Sequence, residues 1–184
     1  MTDKTEKTGG NTGRELIAFY SRADENYVSG TLKNLDIGNT EVAAGIIHRL
    51  TGADMFKIQQ KIPYSESYNE CIAQAQQDQK NDARPELTVH LEDLERYDVI
   101  YLGFPNYWST MPMAVFTFLE ELEKSGKLKG KTIRPFCTHE GSGMGVSERD
   151  IKRLCPDAVV ENGLAIHGTN VEKSGKKIER WVNR

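Results

Sequence analysis

The segment that most constrains the fold is residues 97–104, YDVIYLGF, whose apolar side chains run on without a regular alternation of polar ones. Such a run reads as a strand buried on both faces, which belongs to a parallel sheet covered by helices on each side. Residues 16–20 (LIAFY) form a second short apolar run, and 55–59, 132–138 and 158–167 read as three further strands. Helical stretches alternate with them. Residues 41–50 carry helical spacing at Val42, Ile46, Ile47 and Leu50, and 65–83 are rich in Ala, Gln and Glu. A third helix is expected with Pro112 at its first position, running through Ala114, Val115, Phe118, Leu119 and Leu122; residues 146–154 and 176–182 read as two more. The expectation is an α/β domain over residues 15–184, preceded by a flexible polar tail over 1–14.

Charge and cysteine usage narrow the function. The 184 residues carry 24 basic and 27 acidic side chains, a net charge of −3, which offers no footprint for nucleic acid. No apolar run approaches membrane-spanning length, and the first fifteen residues lack the apolar stretch of a secretion signal. Cys71, Cys137 and Cys155 are odd in number and far apart, which fits a reducing cytoplasm rather than a disulfide framework or a zinc site. No metal site is expected. Cys137 and His139 lie two residues apart, a weak geometry for a nucleophile and its base, so no catalytic residue is assigned.

In parallel sheets ligands sit beyond the carboxyl ends of the strands, where the strand order reverses, so three loops matter. The first contains Ser21, Arg22 and Ala23, then Gly38-Asn39-Thr40 directly before a helix. Free N–H groups at a helix start favour an anion, and these side chains add neutral donors, although Asn and Thr also begin helices for local reasons. The second, Pro105-Asn106-Tyr107-Trp108, sets two large aromatics on a turn where burial is not expected. They suit a flat ring, or else a packing or protein-contact patch. The third, Thr138-His139-Glu140-Gly141-Ser142-Gly143, is a glycine-rich turn able to approach a ligand closely, or simply a flexible turn. Its glycines do not follow the spacing of a dinucleotide fingerprint.

Taken together and in this order, the three loops resemble those of the flavodoxin family, in particular its bacterial short-chain branch. The resemblance implies a three-layer sandwich with a five-stranded parallel sheet in the order 2-1-3-4-5 and helices on both faces. It further implies FMN as cofactor: phosphate held by Ser21, Ala23, Asn39 and Thr40, with Arg22 and Gly38 in the same loop. The isoalloxazine would be flanked by Pro105 to Trp108 on one side and Thr138 to Gly143 on the other. A redox partner protein, or a small acceptor such as a quinone, would exchange electrons with it. A flavodoxin-like binding or regulatory module without flavin is the alternative.

Three departures from the family pattern carry consequences. Residues 24–37 interrupt the phosphate loop, to be read as a flap near the flavin or a solvated loop, and Ala23 stands where a hydroxyl residue is expected. The net charge is far from the strong acidity that docks basic partners. The ring loop also lacks a glycine after Pro105, which makes a backbone flip beside the flavin harder.

Overall fold

The computed structural model describes residues 14–184, so the expected tail lies outside the described residues except for Arg14, which opens the first strand. Along the chain run β1 (Arg14–Phe19), a hairpin of β2 (Asp24–Val28) and β3 (Thr31–Leu35), α1 (Asn39–Thr51) and β4 (Asp54–Lys57). There follow α2 (Tyr68–Lys80), β5 (Tyr97–Pro105), α3 (Met113–Lys124), β6 (Thr132–His139) and α4 (Ser147–Leu154). β7 (Val159–Val160), β8 (Leu164–His167) and α5 (Gly175–Val182) close it. β4, β1, β5 and β6 lie side by side and parallel, and β7 and β8 share the place beyond β6. Counted by parallel strand this is the order 2-1-3-4-5.

Successive side chains of a strand point to opposite faces, and here both faces are buried. Leu16 and Ala18 of β1 join Ile100, Leu102 and Phe104 of β5 under α3 and α4, against Phe118, Leu119 and Ile151. Ile17 and Phe19 face the other way, onto Ala43 and Ile47 of α1 and Ile178 and Trp181 of α5. The unbroken apolar run of β5 is a direct consequence, since neither face meets water. Each such large side chain contributes about 1.5–3 kcal/mol by burial.

Three local expectations are corrected. Leu50 is exposed, and Ala43 and Ala44 take core positions on α1 instead. Pro112 caps α3 rather than opening it: its ψ of 145° is extended, and its carbonyl accepts the N–H of Val115 at 2.9 Å from outside the helix. The strand expected over 158–167 is divided. Ile133 faces Val160 while Phe136 faces Leu164, so three edge residues oppose two of β6. Pro135 lies in that interval with no N–H for the ladder, and a bulge is the usual accommodation. No helix among the described residues is long and apolar enough to cross a membrane.

Candidate functional site

The site begins where β1 ends. Ser21 Oγ accepts the N–H of Glu41 at 3.1 Å, in the first turn of α1. Gly38 makes this approach possible, because a Cβ there would stand 2.3 Å from both Ser21 Oγ and the Arg22 carbonyl oxygen. The chain therefore closes a tight loop from strand to helix, with the hairpin extruded between. The first N–H groups of a helix lack intrahelical acceptors and sit at its positive end, which attracts an anion. Thr40 is buried, its hydroxyl 2.7 Å from Thr138 Oγ1 at the end of β6. Ser21, Asn39, Thr40 and Thr138 thus border one cavity with neutral polar groups.

The loop after β5 is braced by the loop after β6. Asn106 donates its backbone N–H to the Thr138 carbonyl at 2.8 Å and Nδ2 to the Gly143 carbonyl at 2.9 Å; its Oδ1 accepts the N–H of Ser109 at 3.1 Å. Trp108 and Ser109 have φ of 50° and 70°, a region that costs non-glycine residues about 1–3 kcal/mol each. Gly145 permits that geometry: a Cβ there would lie 2.1 Å from the Ser109 carbonyl oxygen, which accepts the N–H of Val146 at 2.7 Å. The strained turn holds Trp108 at the cavity, 44% exposed, with its indole N–H donating to the Ile72 carbonyl at 2.9 Å. Tyr107 departs from the expectation of an exposed turn aromatic. It is half-buried, its ring 6.3 Å from that of Tyr20 and its hydroxyl 3.8 Å from Cys71 Sγ.

Residues 24–37 carry the antiparallel hairpin. Its turn, Ser29-Gly30, has φ of 51° and 89°, the double positive value whose twist matches that of paired strands. Three contacts fasten the hairpin to α2 and the segment before it. Arg22 donates to the carbonyls of Glu25, Ser65 and Glu66; Glu25 Oε2 accepts the N–H of Tyr68 at 2.9 Å. The Tyr27 ring stacks on Tyr68, centroids 6.1 Å apart and planes at 28°. At its tip the Ser29 N–H reaches Glu140 Oε2 at 3.3 Å, and Glu140 also accepts from the Thr169 N–H and hydroxyl at 2.7 and 2.8 Å. The Arg22 charge is thus engaged by carbonyls of the fold rather than left free for an anion.

Burial keeps the acidic protons of the site in place. The Tyr107 phenol is held well above its ordinary value by burial first, with Tyr20 and Cys71 beside it. Burial pushes the Cys137 thiol up to about 12, and its sulfur faces the Thr138 and Gly143 carbonyls, so it is neither thiolate nor paired with His139. His139 accepts the Gly141 N–H on Nδ1 at 2.9 Å. Its pKa is lowered by burial and then by His167, whose ring lies 5.5 Å away, so the imidazole is neutral at pH 7.

The cavity occupies about 470 Å³, within the range of small-ligand sites. Every residue expected from the three loops lines it except Ala23, Gly38 and Gly143. Gly38 and Gly143 shape the loops from behind, and the Ala23 carbonyl accepts Asn26 Nδ2 at 2.9 Å. Sequence reasoning assigned no site role to Asn26, Tyr68, Ile72, Ala75, Ser109 or Gly168, and reached Tyr27 only as part of the segment expected as a flap or a solvated loop. Two signals pointed to some of these: Ser29-Gly30 is a hairpin dipeptide, and Tyr68, Ile72 and Ala75 share one face of a helix.

A doubly wound sheet with its cavity over the carboxyl ends of the strands, where the order reverses between β1 and β5, defines a class of α/β ligand-binding domains. The flavodoxin family model matches residues 34–184, and the chain belongs to the flavodoxin family. A candidate flavoprotein from Bacteroides eggerthii is similar with a TM-score of 0.71 and 25% identity, over 92% of this chain and 96% of its own. Another from Bacteroides uniformis gives 0.69 and 25%, over 94% and 99%. A flavoprotein from Lactobacillus acidophilus, solved in complex with FMN, shares the fold at 0.63 and 17%, over 88% and 97%. None of the curated proteins matches the sequence significantly.

Proposed function

We propose that this chain binds FMN in the cavity and passes electrons through it to a redox partner protein or a small acceptor. The observation that carries the reading is the meeting of an anion cradle and ring-flanking loops in one cavity of about 470 Å³. Membership of the flavodoxin family and the FMN complex of the Lactobacillus acidophilus flavoprotein support the choice of FMN. Ser21, Asn39 and Thr40 would hold the phosphate, with the Ser21 proton free to donate because its oxygen accepts from Glu41. Ala23, Gly38 and Arg22 would shape that loop. Pro105 to Trp108 and Thr138 to Gly143 would flank the ring and keep water from it.

Bound FMN would supply the redox chemistry, and the protein would tune it through stacking, hydrogen bonds and local charge. Among the cavity-lining residues the cationic candidates are Arg22 and His139. Arg22 is engaged by carbonyls and His139 is kept neutral. An environment poor in positive charge disfavours negative charge added to a bound ring, which gives a low potential. Three buried free thiols are what a cytoplasmic location rests on.

The test is the visible absorption spectrum of the chain after incubation with FMN and removal of free ligand. Shifted flavin bands at about one FMN per chain are expected. Loss of all flavin would leave a non-redox binding module on a flavodoxin fold.

A further inference from the structure

We propose that a second cavity, separate from the one assigned to FMN, binds a small organic cation: a primary ammonium carried on a short apolar body. The proposal does not depend on the flavin reading, because the two cavities have no lining residue in common.

This cavity, of about 400 Å³, lies between the segment after β4, the outer part of α2 and the segment that follows α2. Its walls are tied together by the fold itself. The Lys61 N–H donates to the Glu86 carbonyl at 2.7 Å and the Thr88 N–H to the Gln59 carbonyl at 2.8 Å, which makes an antiparallel bridge between the two segments. Gln74 Oε1, on α2, accepts the N–H of Ser65 at 2.8 Å and so holds the chain next to Tyr64 against the helix. A site with fixed walls loses little entropy when it fills.

The charges around the cavity cancel except for one. Lys61 and Glu86 pair with each other at 2.9 Å. Arg84 donates Nε and Nη2 to Glu120, and Nη1 to the Asp82 carboxylate and to the carbonyls of Asp82 and Ala83, so its charge is spent within the fold. Asp78 makes no ion pair among the described residues. Its Oδ2 accepts the Tyr64 hydroxyl at 2.7 Å, and no donor among them reaches Oδ1. Burial first, and then Asp78, hold the Tyr64 phenol above its ordinary value, so it stays a donor to the carboxylate. Gln60 adds to the excess of acceptors: its Nε2 goes to the Ile62 carbonyl at 2.7 Å, and its buried Oε1 has no donor.

A half-buried carboxylate with an oxygen to spare attracts a cation more strongly than it would in bulk water. An ammonium brings three N–H donors and no acceptor, which matches acceptors left over on the protein side. A metal ion would need more ligands, and no group of three or more His, Cys, Asp or Glu side chains placed to hold one occurs among the described residues. The remaining wall sets the body of the ligand. Ile62 is 82% exposed, and Pro63, Ala83 and Pro85 stand in the same lining, apolar surface that a short hydrocarbon or a small ring would cover. The Tyr64 ring in that lining favours a cation over a neutral group.

The test is isothermal titration calorimetry of the whole chain at neutral pH with 2-phenylethylamine as probe, with and without saturating FMN. One saturable site per chain is expected, with the same affinity in both states. 2-Phenylethanol, the same body without the charge, should bind at least about tenfold more weakly, and Asp78→Asn should lower the affinity for the amine by a similar factor. Tyr64→Phe, which keeps the ring and frees Asp78 Oδ2, should retain binding. Absence of a saturable site, competition between the amine and FMN, equal binding of the alcohol, or undiminished affinity in Asp78→Asn would each overturn the site. The comparison of amine with alcohol uses the wild-type chain, so it decides the matter even where Asp78→Asn fails to fold. A chain that binds the amine and holds no FMN would overturn the flavin reading alone.

Discussion

Gly38 sets the cradle, because the missing Cβ is what lets Ser21 and the Arg22 carbonyl close on the start of α1. Gly38→Ala should lower stability by about 1–3 kcal/mol through overpacking and abolish retention of FMN. Urea unfolding and the flavin spectrum read the two effects, and an Ala variant that binds FMN normally would show that the cradle does not hold the phosphate. His139 predicts a pH dependence. Its pKa in the fold lies below the ordinary 6.5 through burial, then His167 and Lys177, with Glu140 opposing. The unfolded chain therefore binds more proton than the folded one between the two values. Its contribution to stability is full above about pH 6.5 and is lost as pH falls through the folded value. Thermal melts from pH 8 to 5 should show a decline that His139→Gln reduces; an identical profile in the variant would assign the decline elsewhere. Ser21 and Gly38-Asn39-Thr40 were legible in the sequence because a helix start is a local event. The engagement of the Arg22 guanidinium was not, since its carbonyl partners Ser65 and Glu66 lie 43 and 44 residues away.

At the scale of elements, the strands and helices were readable wherever burial marked the sequence, as unbroken apolar runs in β1 and β5 and as a helical period in α3. What escaped was set by partners. The break between β7 and β8 answers to Pro135 on the neighbouring strand, and the capping role of Pro112 depends on the extended backbone that follows it. The hairpin is the largest such case. Neither of its strands has a fully buried residue, so no apolar period announces them, and only the Ser-Gly turn marks their place. Because the hairpin packs little surface of its own, its attachment depends on Arg22, Glu25 and the Tyr27–Tyr68 stack. Arg22→Ala should raise amide hydrogen exchange over residues 24–35 while β1 and β5 keep their protection. Equal exchange in both proteins would mean that the remaining contacts suffice.

For the whole molecule, the fold places neutral donors, a helix start, an aromatic loop and a glycine-rich loop around one cavity, and a ligand that uses all of them must stabilise the native state by mass action. At a free FMN concentration a hundredfold above Kd the gain is about 2.7 kcal/mol, and a chain of this size shifts its Tm by roughly 2–4 °C per kcal/mol. A rise of about 5–10 °C in Tm is therefore expected with FMN. Riboflavin separates the two halves of the site. It carries the same ring without the phosphate, so it engages the loops after β5 and β6 but leaves the start of α1 without an anion. Its shift at equal concentration should be clearly smaller, and Thr40→Val should narrow the gap between the two ligands by weakening FMN alone. Equal shifts for FMN and riboflavin would mean that the ring carries the affinity and that the α1 cradle serves the fold, as an ordinary helix start does.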